Sequence, residues 1–170
     1  AIDIIESLKV THAVMVPTMI AMLLQSPAFD PSRLSSLQTL VYGASPMPEG
    51  VLRDAIQKLP HVQFVQGYGQ TELAPLVTTL PPDYHVLEGP KSTKLAAAGR
   101  PVIGCEIRIM DENGTTCEFG EVGEIVAKSP GAMLGYWNLP EQTAETLKDG
   151  WVYTGDGAYR DRDGFIFIVD

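Results

Sequence analysis

The alternation of apolar patterns over the first 70 residues is what most constrains the fold of this 170-residue chain. Ile2, Ile5 and Leu8 recur on one helical face that ends near Lys9, and residues 13–16 make an apolar strand halted by Pro17. Met19, Ile20, Leu23 and Leu24 return to helical spacing, with the Met residues read as core filler. After a Ser/Pro-rich loop over 26–36, residues 39–42 read as a strand and Gly43-Ala44-Ser45-Pro46 as a turn. Val51, Leu52, Ala55, Ile56 and Leu59 predict an amphipathic helix with Pro46 or Pro48 in its first turn, followed by a strand over 62–66. Strands alternating with helices at this spacing predict a parallel sheet with crossover helices.

From Leu76 the helical period is lost and prolines and glycines become frequent. Residues 106–110 read as a strand entering the turn Asp111-Glu112-Asn113-Gly114, whose Asn-Gly is a hairpin signal. Residues 122–128 continue the β pattern, 140–147 suit a short helix, and 151–159 pair with 165–169 across Asp161-Arg162-Asp163-Gly164. The expected fold class is therefore α/β. Residues 1–74 form a parallel (mixed) sheet with crossover helices, and 75–170 a mainly antiparallel, β-barrel-like subdomain. The chain starts at Ala1-Ile2-Asp3 without Met and stops at Ile168-Val169-Asp170 inside a strand pattern. Both ends read as cut, as in a piece of a longer enzyme.

Composition narrows the function. Hydrophobic residues make up 45% of the chain, enough for a core, and 12 basic against 21 acidic residues give a net charge of −9. That balance argues against nucleic acid or an anionic membrane as partner. No segment reaches the roughly 18 apolar residues of a membrane span and no signal peptide opens the chain, so the expected location is the cytoplasm. Cys105 and Cys117 lack metal-site spacing and read as buried or idle thiols, and His12, His61 and His85 are scattered and read as structural or solvent-facing.

In open sheets of this kind, ligands collect beyond the carboxyl ends of the strands. Gly43-Ala44-Ser45 and Gly67-Tyr68-Gly69 lie at two such ends, where small residues leave room for a planar group and Tyr68 offers a stacking wall. The full run is Gly67-Tyr68-Gly69-Gln70-Thr71-Glu72, in which a Thr hydroxyl can meet a phosphate oxygen and a carboxylate can help hold magnesium. Taken alone, a strand-ending turn with a packed Tyr explains Gly-Tyr-Gly equally well. Downstream, Tyr153-Thr154-Gly155-Asp156 supplies an acid able to accept hydrogen bonds from the two hydroxyls of a ribose.

Tyr-Gly-x-Thr-Glu at 68–72, Gly-Glu-Ile at 123–125, Gly-Tyr-Trp at 135–137 and Thr-Gly-Asp at 154–156, in this order, closely resemble the adenylate-forming (AMP-binding) superfamily. That superfamily includes acyl-CoA synthetases, luciferases and peptide-synthetase adenylation domains, and the likeness spans nearly the whole chain. It implies an internal fragment of the large N-terminal domain of an acyl-CoA synthetase-like fold. It further implies that Gly43, Ala44 and Ser45 line an adenine pocket, Tyr68 stacks on the base between Gly67 and Gly69, Thr71 binds phosphate, Glu72 is the catalytic, magnesium-associated acid and Asp156 holds the ribose. Gly67 stands where relatives often carry Asp or Asn against the adenine amino group, so a backbone carbonyl serves here. Val10-Thr11-His12, Pro17-Thr18-Met19 and Gln70-Thr71-Glu72-Leu73 look most like fatty-acyl and related CoA ligases.

The implied chemistry activates a carboxylic acid with ATP and magnesium to an acyl-adenylate, then transfers it to coenzyme A. A phosphate-binding loop upstream and a lysine-bearing domain downstream complete the machinery of such enzymes, so the residues present are expected to be inactive alone. Aryl-CoA ligases, luciferase-like enzymes, amino-acid adenylation domains and a non-catalytic nucleotide-binding module are the alternatives. A dinucleotide-binding dehydrogenase needs Gly-x-Gly-x-x-Gly between an early strand and helix, which the chain lacks.

Overall fold

The structure is a computed structural model that describes residues 1–169. The part of the C-terminal strand pattern that falls on Asp170 lies outside the described residues. The chain forms two compact units, Ala1–Gly67 with Leu80–Ala96, and Tyr68–Thr79 with the residues from Ala97 onward.

In the first unit, helix α1 (Ile2–Leu8) is closed by Lys9 in a left-handed conformation. Strand β1 (His12–Met15) follows, then helix α2 (Pro17–Gln25) and strand β2 (Thr39–Gly43). Helix α3 (Glu49–Lys58) leads into strand β3 (Gln63–Tyr68). The expected parallel sheet is present: Ala13 lies opposite Leu40, and Leu40 opposite Phe64. Ile5, Ile20, Leu24, Leu40, Leu52 and Phe64 fill its core, each large side chain contributing roughly 1.5–3 kcal/mol on burial.

Three local expectations are corrected. Leu8, Met19 and Met22 are 72%, 47% and 72% exposed. The inward arcs belong to Ile2 and Ile5 on α1 and to Ile20, Leu23 and Leu24 on α2, so those Met residues fill no core. Pro48 is the N-cap of α3 and lies outside its first turn. The loop before β2 contains a turn of 3-10 helix, Pro31–Leu34, capped by the Asp30 side chain accepting from Ser32 N.

Leu80–Ala96 belongs with the first unit through buried His85, whose ring stacks on Phe64 and hydrogen-bonds Tyr42. Its Nδ1 lies 3.1 Å from the Pro81 carbonyl, which can only accept, so Nδ1 carries the proton and Nε2 accepts from Tyr42 Oη at 2.9 Å. Burial pulls the imidazole down to about 4, as expected for a neutral ring held dry between two partners.

Strand β4 (Thr78–Leu80) enters the second unit through Thr78 and Thr79, which pair antiparallel with β5 (Arg100–Pro101). Strands β6 (Glu106–Met110) and β7 (Gly123–Lys128) precede helix α4 (Pro140–Thr146), short β8 (Leu147–Lys148), β9 (Trp151–Arg160) and β10 (Ile166–Ile168). The order is β10-β9-β7-β6, all antiparallel, with β8 on β9. Ile107, Ile109, Ile125, Ala127, Val152, Ala158 and Ile166 form its core with Leu73 and Val77. The Asn113-Gly114 turn does reverse the chain as a short hairpin: Asp111 N donates to the Thr115 carbonyl at 2.9 Å, Met110 bridges Thr116 antiparallel, and Asp111 Oδ1 accepts from the Asn113 and Thr115 amides, while the longer partner strand β7 begins only at Gly123. Among the described residues no helix is long and apolar enough to cross a membrane.

Candidate functional site

Gly43, Ala44, Ser45 and Gly67 lie in the first unit, and Tyr68, Gly69, Thr71, Glu72 and Asp156 in the second. Gly43 and Gly67 face each other at the carboxyl ends of β2 and β3. A Cβ on Gly43 would overlap the Gly67 carbonyl oxygen, so strand packing alone demands Gly there. Ala44 follows at φ 65°, a left-handed conformation costing a non-Gly residue about 1–2 kcal/mol, and Ser45 is exposed.

Tyr68 closes β3, and its carbonyl accepts from Val77 N at 2.8 Å, tying off the loop between them. Inside that loop Thr71–Leu73 makes one turn of 3-10 helix, followed by Ala74 at φ 57°. Leu73 is buried in the second core and anchors the turn, leaving Thr71 exposed and Glu72 half-buried. Glu72 is then held twice. Its carbonyl accepts from Met133 N at 2.8 Å, and Oε1 accepts from Tyr136 Oη at 2.7 Å. Tyr136 is fixed in turn, its amide donating to Thr143 Oγ1 on α4, which donates to the Leu139 carbonyl. The bond to Glu72 raises the phenol of Tyr136 above its ordinary range.

Asp156 sits where β9 departs from regular pairing. Asp156 N donates to Thr154 Oγ1 at 3.1 Å, that hydroxyl donates to the Ile125 carbonyl at 2.8 Å, and Gly155 N donates to Glu124 Oε1 at 2.9 Å. Asp156 Oδ2 accepts from Tyr68 Oη at 2.7 Å. The Tyr68 phenol is pushed well above its ordinary range, chiefly by burial, with the Asp156 hydrogen bond adding. The structure thus joins Tyr68 to Asp156 and Glu72 to Tyr136, while Thr71 stands exposed beside Glu72.

Sequence reasoning assigned no role to Glu124, Tyr136 or Thr154, although each lies inside a recognised motif. The available signal was a polar residue at a fixed place within each motif, on a strand for Glu124 and Thr154 and in the loop before α4 for Tyr136. Gln70 was also missed: among the described residues its side-chain nitrogen is buried without a hydrogen-bond partner. An unpaired buried donor costs about 1–3 kcal/mol, so this loop has a donor to offer an oxygen-rich ligand. No cluster of three His, Cys, Asp or Glu suited to a metal occurs among the described residues. A magnesium ion that travels with phosphates uses one or two carboxylates and keeps several waters, so a lone Glu72 with Oε2 outside the Tyr136 bond is a compatible donor set.

The family model described as AMP-binding enzyme matches residues 1–137. The chain belongs to the AMP-binding enzyme family. Among relatives of this family, a medium/long-chain-fatty-acid–CoA ligase of Mycobacterium tuberculosis is 42% identical over 168 residues, which cover 98% of this chain and 28% of the relative. The amide bond synthetase of Marinactinospora thermotolerans superposes with a TM-score of 0.88 at 37% identity, covering 99% of this chain and 33% of that one. The o-succinylbenzoate coenzyme A synthetase of Bacillus subtilis, solved in complex with ATP and magnesium ion, gives a TM-score of 0.83 at 33% identity over 99% of this chain and 33% of that one. The fold is thus that of acyl-CoA synthetase-like, adenylate-forming members of the AMP-binding family. The chain spans about a third of the length of the curated relatives it matches.

Proposed function

We propose that these residues form the nucleotide-handling part of an ATP-dependent acyl-CoA ligase that acts on a carboxylic acid, with a fatty acid as the favoured substrate. The observation that carries the reading is the 2.7 Å hydrogen bond between Tyr68 and Asp156, which couples the expected base-stacking ring to the expected ribose acid across 88 residues of chain. In this reading Gly43, Ala44, Ser45, Gly67, Tyr68 and Gly69 surround adenine, Thr71 meets a phosphate oxygen, and Asp156 accepts from the ribose hydroxyls. One Asp156 oxygen is engaged by Tyr68, and a carboxylate retains enough lone pairs for both hydroxyls.

A carboxylate oxygen of the acid attacks the α-phosphorus of ATP, forming the acyl-phosphate bond as the bond to pyrophosphate breaks. The thiol of coenzyme A then attacks the acyl carbon, loses its proton and displaces AMP. Glu72, oriented by Tyr136 through the 2.7 Å bond to Oε1, would hold magnesium, whose charge would offset that building on the pyrophosphate. The remaining contribution of these residues is positioning and fixed hydrogen-bond donors. A second reading, in which an amine or another thiol accepts the acyl group, is favoured by the likeness to the amide bond synthetase.

The test uses the full-length protein carrying these residues, with ATP, magnesium and fatty acids, aryl acids and amino acids in parallel. Acid-dependent pyrophosphate release, followed by a fatty-acyl thioester once coenzyme A is added, supports the proposal. Pyrophosphate release that yields an amide but no thioester selects the second reading. Nucleotide binding without pyrophosphate release for any acid overturns both.

A further inference from the structure

On β7 and β9, Glu124 lies opposite Gly157 and Val126 opposite Tyr153, so Ile125 alone faces Thr154, Gly155 and Asp156. Such irregularities re-aim a side chain out of the regular strand alternation. Here the re-aimed side chain is Asp156, and Gly155 makes the corner at φ 77°, a conformation that favours glycine. The corner leaves the Gly155 amide without a ladder partner, and the Glu124 carboxylate takes it at 2.9 Å. Glu124 is half-buried on a strand whose neighbours Ile125, Val126 and Ala127 are fully buried. A carboxylate there adds negative charge near a site meant for an anionic nucleotide, so its presence calls for a compensating task. Accepting a charge-assisted hydrogen bond from the corner supplies one.

We infer that Glu124 is a positioning residue for Asp156: through Gly155 N it fixes the corner that points the ribose-binding carboxylate, with Thr154 Oγ1 as the second tie. This rests on the reading of Asp156 as the ribose ligand.

The experiment measures AMP and 2′,3′-dideoxy-AMP affinities by calorimetry in the full-length protein, for the parent and for Glu124→Ala, Glu124→Gln, Thr154→Val and Asp156→Ala. Glu124→Ala is expected to weaken AMP on the order of tenfold while barely changing dideoxy-AMP, because only the former uses Asp156. Glu124→Gln, whose amide oxygen still accepts, is expected to restore most of the loss. In turnover, the KM for ATP rises while kcat at saturation stays within about twofold. If Glu124→Ala does not fold, Thr154→Val carries the same discrimination between the two nucleotides. Equal losses for both nucleotides, or none, in Glu124→Ala overturn the inference when Asp156→Ala does discriminate. An Asp156→Ala protein that fails to discriminate overturns the ribose reading itself, and the inference falls with it.

Discussion

The Tyr68 hydroxyl donates to Asp156 Oδ2 at 2.7 Å, a bond between the last residue of β3 and the irregular centre of β9. Neither group is merely exposed at a loop tip: the tyrosine packs against the second core, and the aspartate is half-buried with its amide tied to Thr154.

Removing the carboxylate in Asp156→Ala is expected to weaken ATP strongly in the full-length protein. Hydrogen bonds to a charged group contribute about 1.5–3 kcal/mol each, so losing two should raise the dissociation constant by at least about a hundredfold. Tyr68→Phe keeps the ring and loses only the tether, so its expected loss is about tenfold or less. Calorimetry with ATP checks both. An unchanged constant for Asp156→Ala would return that residue to an ordinary turn aspartate.

Glu72→Gln is expected to bind AMP almost as the parent does while pyrophosphate exchange falls about a hundredfold to a thousandfold, because AMP has no pyrophosphate to be met by metal. Tyr136→Phe removes the donor at Glu72 Oε1 and is expected to raise the magnesium concentration needed for half-maximal exchange, with AMP affinity unchanged. Exchange at the parental rate in Glu72→Gln would remove Glu72 from the metal.

The His85 imidazole gives a pH dependence of stability with a definite sign. Its folded value of about 4 lies below the ordinary 6.5, so the unfolded chain binds the extra proton more readily and stability falls with falling pH. The contribution is intact above pH 6.5 and is lost between 6.5 and about 4, amounting to roughly 3 kcal/mol at its limit. His85→Gln keeps an acceptor for Tyr42 and a donor for the Pro81 carbonyl without titrating. Denaturant unfolding of this variant should therefore depend less on pH across that interval. Identical pH profiles for parent and variant would show that the ring is protonated at no cost.

Residues 1–170 expressed alone are expected to form no acyl-adenylate. The chain spans about a third of the length of its curated relatives, and losing even one preorganised donor to the transferring phosphate costs about a hundredfold or more. Incubation with ATP, magnesium and fatty acids should release no pyrophosphate above background. Turnover traceable to these residues would show that they contain every group the chemistry needs.

The elements legible in the sequence are those whose period is local. The α3 face and the β1, β2 and β3 runs carry their own apolar spacing, and the intervening Asp-Gly turn sets Ile166–Ile168 against Ala158–Arg160, whereas the earlier part of β9, expected to share that pairing, lies against β7 and β8. Met19 and Met22 misled because helical spacing says that a face exists but not how wide it is, and three aliphatic residues already filled α2's share of the core. The site was legible as a set of motifs and illegible as a set of contacts. Tyr136 reaches Glu72 across 64 residues, Gly155 reaches Glu124 across 31 and His85 reaches Tyr42 across 43, distances over which no local pattern records a partner.

The excursion in β9 begins and ends on one face of the sheet. Val152 and Ala158 lie on either side of it and are both fully buried in the core that holds Ile125 and Ala127, although three residues, Thr154, Gly155 and Asp156, pass the single facing residue Ile125. An ordinary bulge sets two residues against one, so the excursion is one residue longer than a bulge needs. Removing one of the three would leave a count at which pairing resumes on both sides, but it would take away the corner that turns Asp156 out of the strand. The sheet can spare that residue; the carboxylate cannot.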